Sequence, residues 1–181
     1  MADIATQRSS LGILKRVPGW VWTISIASII YLIVSFFILR ANPSLDPQFR
    51  ISLEPLQASS IATQIHVAAA LLSFSIGAFL LIAPKGFRLH KTFGWVWVTS
   101  MSVTAISSFF LTGLMGSSYS PIHALSAWTM IGLPFGIAAI RRKQVQKHRK
   151  TMTGMFFGAM VIAGMFSFLP GRLMWHIFFA V

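Results

Sequence analysis

The sequence predicts an all-α protein, a polytopic transmembrane bundle of five spans whose last four form two repeated helical hairpins, followed by a short interfacial segment. Three observations predict it. Hydrophobic residues make up 55% and charged residues 10% of the 181, a balance foreign to a soluble globule of this size. Five stretches long enough to cross a hydrocarbon core of about 30 Å contain no Asp, Glu, Lys or Arg. Lysine and arginine collect in the turns between those stretches.

Residues 1–19 hold Arg8, Lys15 and Arg16 and precede the first span, 20–39, which is too long for a signal-peptide core. No convincing small-residue cleavage site follows it, so it is expected to stay as an anchor. Residues 40–60 form a Pro-containing loop with Asp46 and Glu54. Four spans at 61–83, 92–115, 121–140 and 151–169 then build a core over 61–169. After Pro170 and Gly171 the remainder "RLMWHIFFAV" is too short to span, and the tail 170–181 is expected at the interface.

Orientation follows from the basic residues. Lys85, Arg88 and Lys91 join the second span to the third, and six more between Arg141 and Lys150 join the fourth to the fifth. With the three at the N-terminus they share one side, against Arg40, Arg50 and Arg172 on the other. The positive-inside rule therefore places the N-terminus and both basic turns in the cytoplasm, with anionic lipid headgroups as their partners. The net charge of +12 does not point to nucleic acid, because the bases lie between apolar runs and not over an aromatic-interleaved surface. Cysteine is absent, which removes disulfides, thiolate metal sites and cysteine nucleophiles.

Histidine is the main candidate ligand that remains. "QVQKHRKTMTG" (144–154) sets His148 in a basic run just before the fifth span, and His66, His90 and His123 stand at or near the starts of the second, third and fourth. Successive helices alternate direction, so His66 and His123 fall near the outer face and His90 and His148 near the inner one, the two levels about 25 Å apart. "IHVAAALLSF" (65–74) and "IHALSAWTMI" (122–131) open alike, and "HKTFG" (90–94) and "HRKTMTG" (148–154) follow each at nearly the same interval. Such a hairpin repeat, related by an axis along the membrane normal, sets His66 across from His123 and His90 across from His148.

Paired imidazoles at two depths suit two haems b, each iron taking two axial histidines from facing helices. Ala69, Ala70, Ser73 and Gly77 below His66, Gly94 below His90, and Ser126 and Ala127 below His123 would leave a slot for each macrocycle. Arg88, Lys91, Lys147 and Arg149 would pair with propionates at the inner site. The same small residues also serve ordinary helix packing, as does "GMFFG" (154–158). Trp20, Trp22, Trp95 and Trp97 read as interfacial belt residues, although Trp95 and Trp97 point to nearly opposite faces. Trp128 reads as core, and His176 as interfacial.

The stretches "IHVAAALLSF", "KGFRLHKTFGWVWV", "SPIHALSAWTMIGLP", "HRKTMTGMFFG" and "FLPGR" resemble a family of bacterial integral membrane proteins of unknown function. That resemblance implies a multi-span fold and no established activity. The histidine pattern is more loosely similar to the transmembrane dihaem cytochromes b that carry electrons from ascorbate. There, four core helices carry one histidine each, the first pairing with the third and the second with the fourth. The chain departs from them in having five spans where they have six, in shorter histidine intervals, and in lacking a recognisable ascorbate site. The redox partner stays open.

Other classes fit less well. No carboxylate lies within the bundle for a proton-coupled carrier. Two imidazoles alone leave a zinc site half made, and the serines of 98–108 have no acid partner for hydrolysis. Two readings stand: bis-histidine haem electron transfer, and a non-catalytic membrane scaffold or interaction module with interfacial histidines.

Overall fold

A computed structural model describes residues 18–43, 47–111 and 121–180. Arg8, Lys15, Arg16 and the end of the expected third span, 112–115, lie outside the described residues. The described chain is helical apart from one two-residue strand pairing. In order come α1 (Gly19–Ala41), β1 (Gln48–Phe49), α2 (Glu54–Gln57), α3 (Ile61–Ile82), α4 (Arg88–Ser108), α5 (Pro121–Arg141) and α6 (Val145–Met155). A π-helical turn, Phe156–Ile162, then leads without a break into α7 (Ala163–Ser167), followed by α8 (Leu173–Phe178) and β2 (Phe179–Ala180).

Local chemistry sets these boundaries. Ser60 caps α3 by accepting from the Thr63 N–H at 3.2 Å, while Gln64 Nε2 donates back to the Gln57 and Ser59 carbonyls at 3.1 and 3.0 Å. Pro84 holds Ala83 extended (ψ 150°) and ends α3, and Gly86 at φ +87° turns the chain into α4. Pro121 opens α5, where its missing N–H costs nothing, but Pro134 inside the same helix removes a backbone hydrogen bond.

The four core helices close into a ring. α3 packs on α4, α4 on α5, α5 on α6, and the π turn returns to α3, so α3 lies diagonal to α5 and α4 diagonal to the last helix. Ile76, Trp97, Met101, Leu133, Met155, Phe156 and Met160, drawn from all four helices, fill the centre. α1 stands outside the ring against the last helix, where Trp20 stacks on Phe157 at 4.6 Å and Tyr31 OH donates to the Phe168 carbonyl at 3.2 Å. Its other faces leave Leu32, Ile33, Phe36 and Phe37 more than half exposed, as lipid contact requires.

Three helices among the described residues are long and apolar enough to cross a membrane: Gly19–Ala41, Ile61–Ile82 and His123–Arg141. α4 falls short because two basic residues, a histidine and a run of Ser and Thr share its length, and the last helix because the π turn divides it into stretches of 11, 7 and 5 residues. That last helix begins at Val145, six residues before the expected Thr151, since the basic run is itself helical. The tail does more than rest at an interface: β2 pairs antiparallel with β1, and Arg50 N–H and Ser52 N–H donate to the Phe178 and Ile177 carbonyls at 3.0 and 2.8 Å.

Two tryptophan assignments are corrected. Trp97 is not a belt residue; it is 4% exposed at the centre of the ring, because its face of α4 turns inward while that of Trp95, 55% exposed, turns out. Trp128 is not core but 65% exposed on the outer side of α5.

Candidate functional site

Among the described residues, six hydroxyl side chains of α3, α4 and α5 are buried: Ser73, Ser100, Ser107, Ser108, Ser126 and Thr129. His66, one and a half turns into α3, directs Nδ1 at the Thr104 carbonyl (2.9 Å) and the Ser107 hydroxyl (3.2 Å) of α4. A carbonyl only accepts, so Nδ1 carries the proton and Nε2 keeps its lone pair. Ser107 gives its own proton to the Val103 carbonyl at 2.7 Å and is free to accept. Beside it, Ser108 bonds Ser126 across the α4–α5 contact, and deeper in, Ser73 donates to Ser100 at 2.8 Å. His123, half-buried one turn before Ser126, packs its ring against Phe109 with centroids 5.8 Å apart.

At the other end the arrangement repeats in part. His148 Nδ1 meets the Gly136 carbonyl of α5 at 2.9 Å, which fixes the same tautomer. His90 stands in the first turn of α4, before the apolar length that begins at Thr92, and its Nδ1 is buried without a protein partner. Burial chiefly, then the neighbouring His148 and Lys85, hold the His90 imidazole below its ordinary pKa. The structure therefore sets His90 and His148 within electrostatic reach of each other, while the contacts that anchor His66 lie on α4. His176 is half-buried in α8, which packs on α2 at the end of the bundle where α3 begins.

The expected slots divide sharply. A Cβ at Gly94, one turn beyond His90, would meet nothing within 4 Å. A Cβ at Gly77 would collide with the Phe156 ring and lie 2.7 Å from Trp97 Nε1, so that space is already filled. Ser73 and Ser126 are buried and engaged with neighbouring helices, whereas Ala69 is half-buried and Ala127 exposed. The close-packing role expected of Gly154 and Gly158 falls elsewhere, for both have open space, and the tight helix contacts are at Gly77, Gly132 and Gly136.

Sequence reasoning missed Thr104, Ser107 and the Gly136 carbonyl as anchors of the histidines. A backbone carbonyl has no sequence signature, and the hydroxyls of α4 read as ordinary bonds to their own helix, which Thr104 indeed also makes. Arg88, Lys91, Lys147 and Arg149 are all exposed around the His90–His148 end. No group of three or more His, Cys, Asp or Glu suited to a metal ion occurs among the described residues.

No curated protein and no solved structure matches the chain. A family described as predicted membrane protein (DUF2306) matches residues 63–179, from the first turn of α3 to β2. That stretch holds the four-helix ring, both histidine levels and the docked tail, and leaves α1 outside. With apolar helices of spanning length and a match over more than half its residues, the chain is an integral membrane protein that belongs to this family.

Proposed function

We propose that the protein crosses the membrane five times and binds haem b between histidines of diagonally opposed helices, carrying electrons from one face to the other. The observation that carries this reading is the anchoring of His66 and His148. Each holds Nδ1–H on a backbone carbonyl of another helix at 2.9 Å and leaves Nε2 as the ligand atom, the orientation that metal-bound histidines commonly take. The diagonal placement of α3 with α5, and of α4 with the last helix, supports pairing His66 with His123 and His90 with His148.

The residues present fit the group best at the inner end. His90 and His148 are neighbours there, the space at Gly94 is open, and exposed Arg88, Lys91, Lys147 and Arg149 suit two propionates. A haem held by two histidines supplies one-electron oxidation and reduction. The chain's own part is to orient the imidazoles through Thr104, Ser107 and Gly136. Its central cluster around Trp97 and Phe156 excludes water between the two levels. The excess of basic residues at the His90–His148 end supports a cytoplasmic placement of that end in a bacterial inner membrane.

The test is an absorption spectrum of detergent-purified protein, oxidised and then reduced with dithionite. A low-spin haem b signal is expected, reduced in His90→Ala and His148→Ala alike, and a second component lost in His66→Ala and His123→Ala. Colourless protein from haem-supplied cells overturns the reading. It would leave a non-catalytic scaffold, which is favoured by one observation: the filled ring centre, where Met101 and Met155 are each 2% exposed.

A further inference from the structure

Two basic turns far apart in sequence form one surface in the fold. Lys85 lies in the α3–α4 turn with Arg88 and Lys91 in the first turn of α4 beside it, and around the α5–α6 turn stand Arg141 at the end of α5, Arg142 and Lys143 in the turn itself, and Lys147, Arg149 and Lys150 in the first turns of α6. α4 starts where α5 ends, and the two helices pack together, so both turns border the same mouth of the ring, beside His90 and His148. All nine side chains are exposed. Among the described residues the one carboxylate side chain is Glu54 in α2, at the opposite end of the bundle, so nothing here neutralises them. Lys85 is already fixed, its Nζ donating to the Leu81 and Ala83 carbonyls at 2.7 Å each. Neither α4 nor α6 carries a side-chain cap or an acid in its first turn, which adds to the positive field.

We propose that this rim is a specific site for the phosphate of an anionic phospholipid, one headgroup bridging the two basic turns over the mouth between His90 and His148. The partner's chemistry follows from position and charge. The rim ends helices of membrane-spanning length, so it stands at headgroup depth, and a phosphate oxyanion accepts the charge-assisted hydrogen bonds that guanidinium and ammonium groups donate. A bound headgroup also supplies the counter-charge that the described residues lack beside the two histidines. The inference rests on the membrane placement of the chain and not on haem.

Native mass spectrometry of the full chain, released from nanodiscs of mixed phosphatidylglycerol and phosphatidylcholine, tests it. One phosphatidylglycerol per chain is expected to stay bound, with retention falling about tenfold or more when Arg88, Lys91, Lys147 and Arg149 are all changed to Gln. Arg40→Gln with Arg172→Gln, at the opposite end, is expected to retain the lipid, as is Lys91→Arg with Lys147→Arg. If the fourfold variant does not fold, the doubles Arg88→Gln/Lys91→Gln and Lys147→Gln/Arg149→Gln are each expected to lose part of the retention. Equal retention of the two lipids, equal loss in the Arg40/Arg172 variant, or displacement by millimolar inorganic phosphate overturns the proposal. The last result would assign the rim to a free anion instead.

Discussion

Gly77 of α3 faces the Phe156 ring and the Trp97 indole, and a single methyl added there has no room. Gly77→Ala is expected to destabilise the protein by about 1–3 kcal/mol, because the Phe156 ring and the Trp97 indole are rigid and must shift together. Gly136→Ala meets only the flexible end of Met152 and the Thr151 methyl, so its loss of thermal stability in detergent should be clearly smaller. Ser107→Ala removes one of the two acceptors of His66, and a cost of roughly 0.6 kcal/mol is expected, since the Thr104 carbonyl remains. His90 gives a signed pH dependence. Its folded pKa is lowered, so the unfolded chain binds the proton more readily. Stability from this group is present above about pH 6.5 and is lost as pH falls through the folded value. Thermal unfolding of haem-free protein between pH 8 and 5 should show that decline, and His90→Gln should flatten it. The histidines were legible in the sequence as single polar residues at helix starts. Their tautomers were not, because those depend on carbonyls of other helices.

At the level of elements, the helices at 19–41, 61–82 and 121–141 lie within two residues of the stretches expected from composition. Runs of apolar residues bounded by basic, Pro or Gly positions leave the chain few other places to begin and end a helix. The last helix departs from expectation in two ways, starting earlier in its basic run and relaxing into a π turn at 156–162. No composition signal marks that turn, which sits where Phe156 and Met160 meet the other three helices at the ring centre. The tail also acquired a partner that its length alone did not announce. Deleting residues 172–181 takes away the acceptors of the Arg50 and Ser52 N–H groups and the strand opposite Phe49. Limited proteolysis of that truncated chain is therefore expected to cut within 47–57 faster than in the full protein, whereas equal rates would mean that the pairing holds nothing in place.

For the whole molecule, the reading of five spans has a direct check because the chain has no cysteine. Arg142→Cys and Gln57→Cys, both exposed, should be labelled by an impermeant thiol reagent from opposite sides of a sealed vesicle. Labelling from the same side would contradict it. By itself the sequence determined the membrane class, the helical content, the positions of the turns and the charge imbalance between the two ends. Those properties follow from composition and local pattern, which act over a few residues at a time. Only the tertiary structure decided which helices are diagonal, that Trp97 and not Trp128 fills the centre, that Gly77 is closed and Gly94 open, and that two distant basic turns share one mouth. The reason is physical: in a segment apolar on every side no periodic pattern names the inward face, so that choice falls to shape complementarity between helices and to the few polar groups that must find partners away from lipid.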